Sequence, residues 1–260
     1  MDNNVITSAA NKFVRECSAL KSRKNRRALR KFIVEGERFV MTAAAVCPPE
    51  YIMVSETYAG RTPDPASTRV VRGALFKEIS GTETPQGILA VFRFIDTSAA
   101  DFIADGFVLI LENLRDPGNI GAAIRTAAAA GVCGVIVSRG CADVYGEKEV
   151  RASAGTLFGV PFAIDAEIPE TTALLKDRGY RVIAAAADGA APAFAEDLTG
   201  AVAVVIGNEA NGVTQETRAL CDGAIRLPMA GGVESLNAAV AAGIIMYEAF
   251  RQRMVMDEIG

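Results

Sequence analysis

Three short polar segments follow apolar runs in the second half of the sequence, and they hold most of the residues that could do chemistry. They read NLRDPG (113–118), GNEANG (207–212) and PMAGGVESLN (228–237). Amides, carboxylates and glycines of this kind bind polar ligands through side chains and through closely approaching backbone. Because the chain has no histidine, histidine-based triads and imidazole acid–base catalysis are excluded.

The cysteines indicate neither a metal site nor a disulfide framework. The five cysteines are widely spaced and form no CxxC pair: Cys17, Cys47, Cys133, Cys141 and Cys221. The sequence also lacks the roughly 18–20 continuous apolar residues that cross a bilayer. Since its start does not resemble a secretory signal, we expect a cytosolic protein.

The elements that must position the three polar segments alternate between strands and helices. Residues 107–112 (FVLILE) and 201–206 (AVAVVI) are continuous apolar runs typical of buried parallel strands. One helix is predicted over 119–130, with Asn119 as its N-cap, and another from about Ser235 to Arg253. The spacing in the latter predicts one buried stripe: Leu236, Val240, Ile244, Tyr247 and Phe250.

This alternation predicts a parallel sheet covered by helices on both faces. In open sheets of this class, ligands bind beyond the carboxyl ends of the strands. Because all three polar segments follow predicted strands, we expect them to form one site.

The first part of the chain differs from the second in charge. Residues 1–96 carry 15 Lys and Arg against 10 Asp and Glu (+5), whereas residues 97–260 carry 12 against 21 (−9). We predict a small α/β domain over 1–96, with strands near 32–36, 51–55 and 87–94. A linker over 97–105 and a second α/β domain over 106–260 complete the predicted organisation.

Long stretches of the chain resemble SpoU-type RNA methyltransferases. The resembling signatures, in order, are ENLRDPGNIGAAIRTAAAAGV (112–132), RASAGTLFGVPF (151–162), VVIGNEANGV (204–213) and IRLPMAGGVESLNAAVAAGIIMYE (225–248). In the first half, KFIVEGERFV (31–40) and TETPQGILAVF (82–92) resemble the small RNA-binding domain, similar to a ribosomal-protein fold, that often precedes the catalytic domain. The resemblance covers nearly the whole chain.

The resemblance implies an enzyme that transfers a methyl group from S-adenosylmethionine to a ribose 2′-hydroxyl in structured RNA, rRNA more than tRNA. It also implies a SPOUT domain with a trefoil knot, a homodimer and no metal. A non-catalytic RNA-binding or ribosome-assembly factor that keeps the fold is one alternative. A nicotinamide-dependent oxidoreductase is another, although the sequence lacks the GxGxxG fingerprint after a strand.

The resemblance also assigns residues to the site. The matching active-site residues are Asn113, Arg125, Glu209, Ser235 and Asn237. The residues implied to surround the cofactor are Gly207, Asn208, Leu227, Met229, Ser235 and Leu236. The family's arginine binds RNA and helps to activate the hydroxyl; because guanidinium stays protonated, we favour an orienting and electrostatic role for Arg125.

Each of these residues also has a plain structural interpretation. Asn113 could be a turn former, Arg125 a surface arginine and Glu209 a solvated loop acid. Gly207 could be an ordinary turn glycine, and Ser235 suits a helix N-cap. The side chains of Leu227 and Leu236 could belong to the core.

A basic run, KSRKNRRALRK (21–31), has seven basic residues and no acid. Such a run can be a solvated helix face, but ahead of a methyltransferase domain it better fits a surface that contacts RNA phosphates. The candidate contact residues are Lys21, Arg23, Lys24, Arg26, Arg27 and Arg30.

Two positions depart from the family pattern. Ala210 stands where the signature matching VVIGNEANGV (204–213) usually has glycine, and a methyl group there disfavours a positive φ. Gly146 and Glu147 replace a Ser-Pro pair that is common between the first two signatures, which affects substrate details more than the reaction.

Overall fold

The computed structural model describes residues 5–102, 106–153 and 155–259, and it divides the chain into two compact units. One unit, here called the N-terminal unit, comprises Met1–Ile95 together with Tyr145–Phe158. The other, the C-terminal unit, comprises Asp96–Val144 together with Gly159–Gly260. The segment 145–158 therefore belongs to the N-terminal unit although it lies within the span predicted for the second domain.

The helices, in chain order, are α1 (Lys12–Leu20), α2 (Arg23–Leu29), α3 (Glu37–Ala44), α4 (Gly73–Ile79), α5 (Ala99–Phe102), α6 (Pro117–Ala129), α7 (Glu147–Ala152), α8 (Ile168–Asp177), α9 (Gln215–Leu220) and α10 (Ala238–Ile259). The strands are β1 (Lys31–Glu35), β2 (Tyr51–Ser55), β3 (Thr68–Val71), β4 (Ile88–Arg93), β5 (Phe107–Leu111), β6 (Gly134–Ser138), β7 (Phe162–Ala166), β8 (Arg181–Ala185), β9 (Ala191–Pro192), β10 (Val202–Ile206) and β11 (Gly223–Arg226). Among the described residues, no helix has both the length and the apolar character needed to cross a bilayer.

The N-terminal unit is built on a four-stranded mixed sheet in the order β1-β4-β2-β3. Because side chains alternate between the faces of a strand, each strand supplies two sets of apolar residues. On one face Ile33, Met53 and Leu89 pack with residues of α1 and α4. The opposite set includes Phe32 and Phe92, which are fully buried.

Aromatic residues of the segment 145–158 cover that opposite face. The ring of Tyr145 stacks on Phe94 at a centroid distance of 3.7 Å and lies 4.7 Å from Phe32. Phe158 packs 5.7 Å from Phe92. The Tyr145 hydroxyl also accepts a hydrogen bond from the backbone N–H of Ile95 at 2.7 Å. The second core of this unit therefore depends on residues about 50 positions beyond its last strand.

Of the predicted linker 97–105, residues 103–105 lie outside the described part of the chain. The described part contains α5, one helical turn. Its start is held by the Asp101 carboxylate, which accepts hydrogen bonds from the Thr97 hydroxyl at 2.9 Å and the Ser98 N–H at 3.3 Å.

The C-terminal unit confirms the predicted parallel sheet. Its seven strands lie in the order β7-β6-β5-β10-β8-β11-β9, and all the pairs are parallel. The central strands β5 and β10 are buried along their whole length. Continuous apolar runs are typical of such strands because helices cover both faces of the sheet.

Two predicted helix starts were wrong. Helix α6 begins at Pro117, and its N-cap is Asp116, whose carboxylate accepts from the Asn119 N–H at 2.8 Å. Helix α10 begins at Ala238, and Asn237 caps it by accepting from the N–H groups of Ala239 and Val240 at 3.0 and 3.3 Å. Asn119 and Ser235 are therefore not the N-caps that the sequence suggested.

The predicted buried stripe of α10 was also wrong. Val240, Tyr247 and Phe250 are exposed, with relative accessibilities of 50%, 49% and 36%. The buried face consists mainly of smaller residues: Ala238, Ala239, Ala242, Ile245, Met246 and Ala249. Small side chains let the helix lie close to the sheet, so the larger residues are left on its outer side.

Candidate active site

The first two polar segments leave the sheet side by side. Strands β5 and β10 are adjacent, and their last residues, Leu111 and Ile206, are paired in register. Because parallel strands point the same way, residues 112–118 and 207–214 emerge at the same edge. The third segment follows β11 and leads to α10, which packs against α6, β5 and β10.

A chain of three side chains joins the start of α6, which directly follows the first polar segment, to the other two polar segments. The Asn119 amide nitrogen donates to Glu209 Oε1 at 2.5 Å, and the Asn237 amide nitrogen donates to Asn119 Oδ1 at 2.8 Å. Asn119 is buried, whereas Glu209 and Asn237 are exposed. The structure thus brings together residues that are 90 and 118 positions apart.

Sequence reasoning missed Asn119 as a site residue because it treated the residue as a helix cap. A usable signal was present, since Asn119, Ala123 and Ala127 share one face of α6 at steps of four. An amide on an otherwise apolar buried face needs a polar partner. Asp116 takes the capping role, which leaves the Asn119 side chain to contact Glu209.

Asn113 contributes mainly through its backbone. Its φ is +55°, a left-handed conformation that asparagine tolerates better than most residues. Its N–H donates to the Ser138 hydroxyl at 3.1 Å, and its carbonyl accepts from the Asn208 amide at 3.0 Å. These are the features of a turn former that ties β5, β6 and the 207–212 segment together.

Gly207 lies where only glycine fits. A Cβ built on it would lie 2.1 Å from the carbonyl carbon of Gly212 and 2.2 Å from the carbonyl oxygen. The close approach arises because the backbones of Asn208 and Gly212 exchange two hydrogen bonds, of 3.1 and 2.8 Å. In this turn the positive φ falls at Gly212, not at Ala210. The departure at Ala210 therefore introduces no left-handed strain.

Glu112 is a second residue that sequence reasoning missed. Its carboxylate is buried and accepts from the Thr214 N–H at 2.9 Å, from the Thr214 hydroxyl at 2.8 Å and from the Thr217 hydroxyl. The carboxylate thereby attaches the far end of the 207–213 segment to the end of β5. A charged residue that ends an apolar strand was the available signal.

The third segment offers many backbone groups to a ligand. The backbone of this segment makes a turn at Gly231–Gly232, and no group from Pro228 to Leu236 makes a hydrogen bond to the rest of the described chain. Leu227 and Leu236 are half-buried, while Met229 and Ser235 are exposed. Unpaired peptide groups next to half-buried leucines suit a ligand that has both a polar edge and an apolar face.

Arg125 is exposed on α6, six residues after Asn119. Its guanidinium makes no hydrogen bond or ion pair with any residue in the described ranges. A fork of five N–H donors is therefore free to bind a phosphate or a ribose oxygen.

The basic run divides into exposed and structural residues. Arg23 and Lys24 are exposed on α2 and contact no polar group of the described chain. Arg26 is buried and donates to the carbonyls of Leu20, the last residue of α1, and of Lys21, the next residue, at 2.8 and 2.9 Å.

Three further basic residues of the run lie close to other groups. Lys21 donates to the carbonyls of Glu78 and Ser80 at 2.7 and 2.8 Å. Arg30 has a left-handed φ of +54° and lies 4.7 Å from the centroid of the Phe94 ring. Arg27 is half-buried. Among the exposed cations of the run, Arg23 and Lys24 are therefore the two without a polar or aromatic partner in the described chain.

Known proteins resemble this chain over most of its length. A 23S rRNA (guanosine(2553)-2′-O)-methyltransferase of Bacillus subtilis is 33% identical over 93% of the chain and 97% of its own length. A 23S rRNA (guanosine-2′-O-)-methyltransferase of Ralstonia nicotianae is 33% identical over 74% of the chain and 78% of its own length.

Solved structures of methyltransferases have a similar fold over nearly the whole chain. The SpoU methyltransferase AviRb of Streptomyces viridochromogenes, in complex with AdoMet, gives a TM-score of 0.84 at 30% identity, over 94% of this chain and 98% of that one. An AdoMet-bound rRNA methyltransferase of Sinorhizobium meliloti gives 0.84 at 27% identity, over 95% and 97%.

Family models match both parts of the chain. Residues 11–90 match an MRM3-like substrate binding domain. Residues 106–247, more than half of the chain, match the SpoU rRNA Methylase family. The resemblance of the signature segments is confirmed, and the chain belongs to the SpoU rRNA methylase family.

Proposed function

We propose that this chain transfers a methyl group from S-adenosylmethionine to the 2′-hydroxyl of a guanosine ribose in 23S rRNA. Family membership confirms the predicted RNA methyltransferase and its cofactor, and it excludes the oxidoreductase alternative. The observation that carries the proposal is the hydrogen-bonded chain Glu209–Asn119–Asn237, in which the start of α6, directly after the first polar segment, is joined to the other two polar segments at one edge of the sheet. The guanosine and the 23S rRNA are proposed from the substrates named for both relatives.

The residues present fit the cofactor. Gly207 lets the backbone of Gly212 and Val213 pack where a Cβ would clash, which closes the turn, and residues 228–236 offer peptide groups without partners elsewhere in the described chain. We assign the adenosine to the backbone of Gly207, Leu227 and Leu236, with Asn208, Met229 and Ser235 beside it. When bound, the cofactor supplies an electrophilic methyl group on a sulfonium.

The remaining chemistry is positioning and charge stabilisation. Asn119 and Asn208 donate to the two Glu209 oxygens, at 2.5 and 3.4 Å, so this carboxylate is oriented before RNA binds. Arg125 holds the RNA phosphate and donates to the 2′-oxygen as negative charge develops there. Because guanidinium remains protonated, Arg125 stabilises the charge without accepting the hydroxyl proton, which passes to solvent water at this exposed site.

The test of this function uses purified protein, labelled S-adenosylmethionine and 23S rRNA that lacks modifications. We expect label to enter the RNA at one guanosine, and the modified ribose to resist alkaline cleavage. RNA binding without any label transfer would instead support the alternative of a non-catalytic assembly factor.

The trefoil knot is part of the same proposal. Strand β11 is separated from β5 by β8 and β10, yet the following helix packs against α6 and β5. Residues 227–237 must therefore cross back over two strands, a distance of roughly 14 Å at the usual strand spacing. A crossing of this kind through the 207–214 segment would produce the knot, a topology otherwise essentially absent from proteins.

The homodimer is supported by an apolar groove between α6 and α10. The groove has a volume of about 510 Å³ and is lined by Ala122, Thr126, Val240 and Tyr247, among others. The exposed apolar residues of α10 continue along this helix: Val240, Tyr247, Phe250, Met254 and Val255. An exposed stripe of this size on one helix is typical of an interface, and a second copy presents the same stripe.

We expect the protein to sediment as a dimer at micromolar concentration and the Tyr247→Asp variant to sediment largely as a monomer. A carboxylate at the centre of an apolar interface loses its water without gaining a partner. Phe194→Asp is the matched control, because Phe194 is equally exposed in the same unit but lies outside the stripe. A wild-type monomer, or equal dissociation of both variants, would contradict the proposed interface.

The exposed part of the basic run gives a second prediction. Replacing Arg23 and Lys24 with glutamine should weaken RNA binding and reduce its dependence on salt. Each lost phosphate contact lowers the slope of log affinity against log salt by roughly 0.7–0.9, so the double variant should lose about 1.4–1.8. RNA titrations at several salt concentrations measure this slope.

Two measurements separate RNA binding by the basic run from effects on the cofactor site and on stability. Cofactor affinity of the double variant should not change, because both residues lie outside the C-terminal unit. Arg26→Gln should instead lower thermal stability, since it removes two hydrogen bonds near the end of α1, one of them buried. An unchanged salt slope in the double variant would contradict RNA binding by α2 and support the interpretation that its exposed face contacts only solvent.

A further inference from the structure

The N-terminal unit contains a polar cavity of about 500 Å³ that none of the candidate active-site residues line. Its walls come from the end of β1, from α3, from residues 81–86 and from α7. They include Glu35, Phe39, Thr82, Glu83, Gln86 and Arg151. We propose that this cavity binds one unstacked nucleotide of the substrate RNA, an inference that rests on the RNA methyltransferase function proposed above.

The cavity is shaped by hydrogen bonds within the protein. The Glu35 carboxylate accepts from the Ser80 hydroxyl at 2.6 Å, the Gly81 N–H at 2.9 Å and the Thr82 hydroxyl at 2.8 Å. At the other end of the loop, the Gln86 side-chain oxygen accepts from the Glu37 N–H at 3.1 Å. Because both ends of the loop 81–86 are attached, the loop is already ordered, and binding of a ligand costs little further conformational entropy.

The polar groups of the cavity that have no partner within the protein suit a nucleobase. The Gln86 amide nitrogen, the Glu83 carboxylate and the N–H groups of Glu83 and Thr84 have no hydrogen-bond partner among the described residues. Phe39 adds a half-buried ring to the wall. A base combines a flat face that stacks on aromatic rings with an edge of donors and acceptors, which single-strand RNA readers contact directly.

The charges decide which part of the nucleotide enters. Glu35 and Glu83 line the cavity, and a buried oxygen of Glu147, beside Gly81, has no donor within the described chain. Carboxylates repel a phosphodiester but accept hydrogen bonds from the N–H groups of a base. Arg151 is exposed and makes no polar contact with the described residues, so it can bind the phosphate outside. The base therefore enters, and the backbone stays in solvent.

The test uses the full-length protein, without cofactor, and RNA hairpins that differ only in one bulged nucleotide. Four hairpins carry a bulged A, C, G or U, and a fifth is fully paired. We expect wild type to bind at least one bulged hairpin about tenfold more tightly than the paired one, the scale of one stacked base. Phe39→Leu, which keeps an apolar side chain but removes the ring, should reduce this preference to less than twofold.

Arg151→Gln is a second cavity variant, and it is expected to fold normally because Arg151 is exposed. It should also reduce the preference for the bulged hairpin. Arg15→Gln is the matched control: Arg15 is an equally exposed arginine of the same unit, outside the cavity, and its loss should leave the preference intact. Equal binding of all five hairpins by wild type, or an undiminished preference in both cavity variants, would overturn the inference. Bulge preference without methyl transfer to any RNA would overturn only the proposed function.

Discussion

Replacing Gly207 with alanine is expected to abolish measurable binding of S-adenosylmethionine. The added Cβ would lie 2.1–2.2 Å from backbone atoms of Gly212 and Val213, closer than any real Cβ contact. Backbone cannot swing aside as a flexible side chain can, so the turn itself must open. Because the Asn208–Gly212 hydrogen bonds close this turn, opening it displaces the peptide groups that we assign to the adenosine.

Isothermal titration with the cofactor measures this effect. We expect a loss of affinity of at least about 100-fold, equivalent to roughly 2.7 kcal/mol. Gly223→Ala is the matched control, since a Cβ there meets no atom within 4 Å and Gly223 has no left-handed φ. Equal affinity of the Gly207→Ala protein and wild type would remove this turn from the cofactor site.

The Arg125→Ala enzyme is expected to lose methyl transfer while keeping its fold and its cofactor affinity. Removing one preorganised donor to a developing oxyanion costs about 10²–10³ in kcat. Alanine is a better helix former than arginine, and Arg125 has no polar partner among the described residues, so stability should not fall.

Single-turnover methylation of 23S rRNA, thermal unfolding and cofactor titration together separate these effects. Arg125→Lys keeps the charge but loses the planar fork, and it should recover only a small part of the rate. Near-wild-type turnover by Arg125→Ala would assign catalysis to another residue. A parallel loss of thermal stability would instead support the interpretation of Arg125 as a structural surface residue.

The buried strands, the loops of the site and the family of this protein could be predicted from the sequence because they depend on local composition. The buried strands 107–111 and 202–206 were predicted because continuous apolar runs suit a sheet covered on both faces. The joining of three polar segments followed from the rule that ligands bind beyond the carboxyl ends of parallel strands. The family, the cofactor and the reaction followed from the order of the signatures.

The site's individual contacts could not be predicted in the same way. Asn113 and Asn119 are both asparagines of the first signature, but only the side chain of Asn119 reaches Glu209 and Asn237. That outcome depends on Asp116, the N-cap of α6, which lies three residues before the expected cap and leaves Asn119 inside the first turn of the helix. A capping side chain bonds to the backbone of its own helix, whereas a side chain inside the first turn points to its neighbours, and sequence spacing does not resolve a boundary shift of this size.

Sequence alone therefore determined the fold class, the family chemistry and the candidate site segments of this protein, because apolar periodicity and signature order are local properties. Tertiary structure decided which cations are exposed, since Arg26 is buried near the end of α1 while Arg23 faces solvent. It also turned the large apolar residues of α10 outward and placed the segment 145–158 on the N-terminal sheet. These outcomes depend on which surfaces pack against each other between residues far apart in the chain. The spacing of apolar residues within a single helix or strand does not determine such packing.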